Sequence, residues 1–165
     1  MKISLPYIVC AFCLVGLFAC RQGEMELLLT ELDHTIENKA VYTERFNGRA
    51  DSLRRALRDA GDDTRRWQTA NRLFDAYITY NIDTAARYVA LMYDLAERTG
   101  RRDMKFLSTT CDISVLIGRN NIEDAYDRIR SLDTAGITRR MRASYYTQQM
   151  VVYGRLASQN TSESR

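Results

Sequence analysis

One histidine limits the chemistry open to this chain. His34 closes the run Glu31-Leu32-Asp33-His34, and a Glu-x-x-His spacing puts both side chains on one face of a helix. A bundle-type two-metal centre needs that motif twice, with two further glutamates. A single histidine cannot supply it, so the expectation is a solvated helix face and no metal. Cys111 falls in phase with Leu107 and Val115. It reads as a buried thiol on an apolar face, since no histidine in that half of the chain stands ready to activate it. Asp62-Asp63 is accounted for by helix capping and by the favourable charge at a helix N-terminus. The sequence contains no phosphate-cradling loop, no Gly-x-Ser-x-Gly and no Cys/His cluster. The expectation is a protein that is not an enzyme and takes no cofactor.

Binding is the better use for what remains. Arg101-Arg102 and Arg139-Arg140 with Arg142 form basic pairs, but lysines are few (Lys2, Lys39 and Lys105) and acidic residues interleave throughout. With 24 Lys and Arg against 21 Asp and Glu, the formal charge is +3. Such pairs read as solvated surface, and no nucleic-acid partner is expected for this segment. Tyrosine is more telling. Trp67, Phe74, Tyr77, Tyr80, Tyr88 and Tyr93 gather in one stretch, and Tyr145, Tyr146 and Tyr153 in another. Most should be core, yet a phenol prefers one wet end. Tyr77, Tyr80 and Tyr146 are therefore the candidate partner-binding residues, for a protein or peptide ligand.

The elements that must position these residues are helices. The chain has one proline and eight glycines in 165 residues, too few for a turn-rich β fold. Apolar residues step by three or four almost throughout. Met25, Leu28, Leu29, Leu32 and Ile36 share one face. Tyr42, Phe46, Ala50, Leu53, Leu57 and Ala60 follow, with Asn47-Gly48 a weak point inside that helix. Gly61 suits a helix end and the aspartates after it a cap. Asn81, Gly100, Asn120-Asn121 and Gly136 punctuate the helices beyond, and Thr138 caps the last. No stretch alternates with period two. Seven helices joined by turns of two to five residues imply antiparallel neighbours.

The first nineteen residues belong to a different category. Lys2 precedes an apolar run from Leu5 to Ala19 broken only by Pro6 and Gly16, too short for a stable membrane span and right for a secretory signal. The junction Leu17-Phe18-Ala19-Cys20 resembles a bacterial lipoprotein signal, which implies cleavage before Cys20 and acylation of that residue. Cys10 and Cys13 would leave with the signal. Cys111 would then have no intramolecular partner, and core packing alone would hold the mature domain.

An internal repeat follows from two similar stretches. Aligning Ala85 with Ala125 brings Asn81 to Asn121, Ile82 to Ile122, Asp83 to Glu123 and Val89 to Ile129. This resembles the turn and second-helix start of a tetratricopeptide repeat, with Ile82 and Ile122 in place of the usual tyrosine and a spacing longer than that family's. More broadly, Leu28-Leu29-Thr30-Glu31-Leu32-Asp33, Tyr42 and Ala50-Asp51-Ser52-Leu53, followed by these repeats, resemble the N-terminal part of an uncharacterised Bacteroidetes family of membrane sensors or regulators. That resemblance implies tetratricopeptide-like helices ahead of a membrane helix and a cytoplasmic regulatory portion.

The expected fold is all-α: an antiparallel helix-turn-helix stack, a tetratricopeptide-like solenoid, after an N-terminal signal. Its expected parts are a signal peptide at 1–19, a helical pair at 20–60, the repeats at 61–158 and a flexible tail at 159–165. The expected function is a lipid-anchored module of the cell envelope that faces the periplasm, binds protein, and serves as the sensor portion of a signalling or transcriptional regulator. The alternatives are a constitutive envelope scaffold and, below it, an enzyme whose site forms only on oligomerisation.

Overall fold

A computed structural model describes residues 25–163 of the chain. The signal peptide expected at 1–19, and Cys20, lie outside the described residues. The protein is all-helical, with seven helices and no strand among the described residues. They are α1 (25–37), α2 (Lys39–Asp59), α3 (Asp63–Tyr77), α4 (Ile82–Thr99), α5 (Arg102–Gly118), α6 (Ile122–Arg130) and α7 (Arg139–Glu163). Helix α7 runs into the stretch read from sequence as a tail. No helix among the described residues is long and apolar enough to cross a membrane.

The chain divides into two compact units, residues 1–48 and 49–165. The division falls inside α2, at Gly48, where the sequence reading places its weak point. In the first unit, α1 and α2 are separated by Asn38 alone. The helical hydrogen-bond ladder carries on across it, with Asn38 N–H donating to the His34 carbonyl at 3.1 Å and Tyr42 N–H to the Asn38 carbonyl at 3.1 Å. The turn expected between these two helices is absent because nothing there, neither proline nor a left-handed residue, interrupts the ladder.

The second unit is the helical stack. Helix α3 packs on α4, α4 on α5, α5 on α6, and α7 on both α5 and α6, while α3 also touches α5. Odd-numbered helices α3, α5 and α7 thus line one side, with α4 and α6 behind them. The repeat is visible residue by residue. Ala85 and Ala125 are both fully buried, Val89 and Ile129 nearly so, and a side chain longer than alanine at either small position would push paired helices apart. Asn81 caps α4 by accepting from the Thr84 N–H at 2.9 Å. Asn121, its counterpart, instead donates to Asp124 at 2.6 Å and leaves the backbone of α6 without a side-chain cap.

Local punctuation follows the sequence closely. Asp62 accepts from the Arg65 N–H at 2.8 Å, and Thr138 from the Met141 N–H at 3.3 Å. Gly100 and Gly136 both adopt φ +66, with Asn120 at φ 58 the non-glycine residue in the left-handed region. Gly61 is not left-handed; it sits in a bend two residues past the end of α2. One connection exceeds the expected length: α6 ends at Arg130, and residues 131–138 form an eight-residue link. Arg102, at the start of α5, holds it through Asp133 at 2.8 Å and the Ala135 carbonyl at 2.7 Å.

Helix α5 is buried on more sides than its apolar pattern indicates. Ser108, Thr109 and Thr110 are all in the interior. Each hydroxyl donates to a carbonyl of its own helix, those of Met104, Lys105 and Leu107, which removes the desolvation cost of an unpaired group. Two of them also accept from neighbours. Trp67 Nε1 donates to Ser108 at 3.0 Å, and Ser144 Oγ donates to Thr110 at 2.8 Å. One polar ladder therefore ties α5 to α3 and to α7.

Candidate functional site

The sequence picks out tyrosines, and the structure separates them. Tyr80 and Tyr146 are each 58% exposed, whereas Tyr77 is 5% exposed. Its ring stacks on Tyr88 at 5.8 Å and meets Tyr80 edge-on at 6.5 Å. Arg54 lies 5.6 Å above it and donates to its hydroxyl. Tyr77 is a packing residue with little surface to offer, because Tyr88 of α4 stacks on its ring and the Arg54 side chain lies over it. Tyr80 stands exposed at the α3–α4 turn. Tyr146 stands exposed on α7 beside Tyr145, their rings 5.4 Å apart, over a hollow that also includes Gly136 and Ile137. The structure does not assemble the three tyrosines into one site.

What it does assemble is a cleft of about 390 Å³ between α3, α5 and α7. Phe74, Ile78 and Leu107 supply its apolar wall, and Asn71, Asp75, Arg140 and Gln148 its polar rim. Helical spacing explains the rim. Asn71 and Asp75 are one turn apart on α3, with Asn71 Nδ2 donating to Asp75 Oδ2 at 3.4 Å. Arg140 opens α7 and faces them from the other side. Desolvation raises the Asp75 carboxyl above the usual range, opposed in part by Arg140 and then Arg49.

Cys111 lies in the same cleft, its thiol 3.7 Å from the Asn71 carboxamide oxygen. Desolvation first, and Asp75 second, push its pKa up to about 12. The sulfur stays protonated near neutral pH and is a poor nucleophile, as its apolar phase suggests. Glu31 and His34 are exposed on α1, where the carboxamide of Asn38 lies against the His34 ring at 3.3 Å. No group of three or more His, Cys, Asp or Glu side chains gathers at metal-binding distance among the described residues.

Arginine does more here than solvate a surface. Arg98 pairs with Asp63 across α4 and α3 at 2.8 Å, Arg119 with Asp83 across α5 and α4 at 2.7 Å, and Arg128 with Asp112 across α6 and α5 at 3.4 Å. These are exposed pairs, each contributing about 0.2–1 kcal/mol. Their recurrence explains the arginine bias as cross-helix clasps. Arg140 is exposed, in keeping with the sequence reading of a solvated pair, and it also lines the cleft. The rim residues were missed in the sequence because nothing local marks them. The one available signal is the i, i+4 polar pair Asn71/Asp75 interrupting an apolar helix.

The sequence model of a family described as the SusR N-terminal TPR domain matches residues 36–165, nearly four-fifths of the chain. No curated protein matches the chain, and no solved structure does.

Proposed function

This chain belongs to the family of SusR N-terminal TPR domains, and on that premise we propose that it is the sensor portion of an envelope regulator, anchored by a lipid on Cys20 and facing the periplasm. A tetratricopeptide-type domain is a protein-interaction module, and stacked helix pairs present extended faces for that purpose. The observation that carries the reading is the exposure of Tyr80 and Tyr146, and to a lesser degree Tyr153, on a stack whose remaining aromatic residues are buried or half-buried. Large rigid side chains with a hydroxyl at the wet end are favoured at protein interfaces. The anchor rests on the sequence junction Leu17-Phe18-Ala19-Cys20, and acyl chains at that position would fix the domain to a membrane surface.

A photo-crosslinking residue placed at Tyr146, and separately at Tyr80, in the full chain in its native cells tests the reading. The expected result is one discrete adduct from at least one position, with the helical circular dichroism unchanged. A smear of abundant envelope proteins from both positions overturns it. In the same cells Cys20→Ala should move the protein from the membrane to the soluble fraction, and firm retention rejects the lipid anchor.

A further inference from the structure

The cleft between α3, α5 and α7 holds two opposite charges that do not meet. Elsewhere in the second unit, arginine and aspartate side chains pair at between 2.6 and 4.0 Å. Asp75 and Arg140 line the same cleft, and the Arg140 charge acts on the Asp75 carboxyl. Yet among the described residues neither makes an ion pair. They belong to different helices, Asp75 to α3 and Arg140 to α7, and the Ser144–Thr110 bond fixes α7 against α5.

The hydrogen-bonding capacity around them is also unspent. Arg140 and Gln148 make no side-chain hydrogen bond among the described residues, and Asp75 receives only the 3.4 Å contact from Asn71. The cleft's hydroxyls are different. Thr110 and Ser114 donate to the backbone of α5, and Ser144 donates to Thr110. The groups left open are therefore an acceptor, Asp75, on one wall and donors, Arg140 and Gln148, on the other, with Phe74, Ile78 and Leu107 between them. A cleft of about 390 Å³ falls within the range of roughly 300–1,000 Å³ typical of small-molecule sites.

We propose that this cleft binds a small zwitterion with an apolar body, an α-amino acid or a very short peptide, whose ammonium is taken by Asp75, whose carboxylate is taken by Arg140, and whose side chain lies on Phe74, Ile78 and Leu107. A ligand of one charge answers only one wall, whereas a zwitterion engages Asp75 and Arg140 at once while its apolar body covers Phe74, Ile78 and Leu107. A guanidinium receives a carboxylate through two parallel bonds, so the geometry also favours that end of the ligand at Arg140. The inference goes beyond partner binding, since it uses none of the exposed tyrosines.

Trp67 is the chain's one tryptophan and lines the hollow that adjoins the cleft at Asn71 and Asp75, so its fluorescence reports on binding. The full chain is titrated with leucine, phenylalanine and leucyl-leucine. At least one should give a saturable change, and the dipeptide tells a free amino acid from a peptide terminus. For the zwitterion that binds, the ester without a free carboxylate and the N-acetyl derivative without an ammonium should each bind at least about ten-fold more weakly. Arg140→Gln and Asp75→Asn should each weaken the free zwitterion by a similar factor without lowering the thermal midpoint. Absence of saturation by all three probes up to millimolar concentration overturns the inference, and so does equal binding of the blocked analogues. Neither result touches the cross-linking outcome at Tyr146, so the two readings fail separately.

Discussion

Helices α1 and α3 carry apolar residues at the same helical spacing and meet opposite fates. On α1, Met25, Leu28, Leu29, Leu32 and Ile36 are 50–60% exposed. On α3, Trp67, Ala70, Leu73, Phe74 and Tyr77 are at most 5% exposed. The family match begins at Ile36, so the exposed stripe falls almost wholly outside the shared domain. Period and residue type therefore select a helix and its apolar face but do not say what covers that face. For α3 the cover is encoded further along, in α4 and α5.

That contrast can be broken most directly by truncating both stripes. Leu73 is fully buried, and Leu73→Ala should lower unfolding stability by about 2–5 kcal/mol. Leu29→Ala and Leu32→Ala should each cost less than about 0.5 kcal/mol, as exposed changes do. Urea unfolding followed by circular dichroism measures all three, and an equal loss at Leu29 would mean that its face is covered in solution. A smaller effect sharpens the comparison inside the repeat. Asn81→Ala removes a backbone cap and should cost about 1 kcal/mol, while Asn121→Ala removes only an exposed side-chain bond and should cost clearly less in the same assay.

The smallest effect is alkaline. The Cys111 thiol ionises at about 12 in the folded protein against an ordinary 9.0. The folded state therefore holds its proton more tightly than the unfolded chain. Stability from this source is fully present below pH 9 and is lost as pH rises from there toward 12. Thermal midpoints of Cys111→Ser should accordingly fall less steeply than the parent's across pH 9–10, and parallel curves would contradict the burial of the sulfur.

Much of the fold is legible because its signals are local. Asp62, Asn81 and Thr138 cap the helices they precede, and Gly100 and Gly136 turn the chain where only a residue free of a Cβ does so without strain. The repeat is legible because Ala85/Ala125 and Val89/Ile129 answer a shared packing demand. The length of the 131–138 link is not, since it depends on Arg102 from another helix. The interior run Ser108-Thr109-Thr110 is not, since hydroxyls bonded to their own backbone look in sequence like a solvated face. The cleft is the least legible feature. Asn71, Asp75, Arg140 and Gln148 belong to two helices far apart in the chain, and only their docking on α5 brings them together.

The hydroxyl ladder on α5 has a mechanical consequence. A helix packed only through aliphatic side chains can slide or roll a little against its neighbours at small cost. Rotating α5 by one residue would break the Trp67–Ser108 and Ser144–Thr110 bonds together, and the single neighbouring hydroxyl, Thr109, could replace only one of them. Intermediate settings are therefore penalised, and α3, α5 and α7 should transmit displacement as a single rigid plate, with compliance concentrated in the long link ahead of α7.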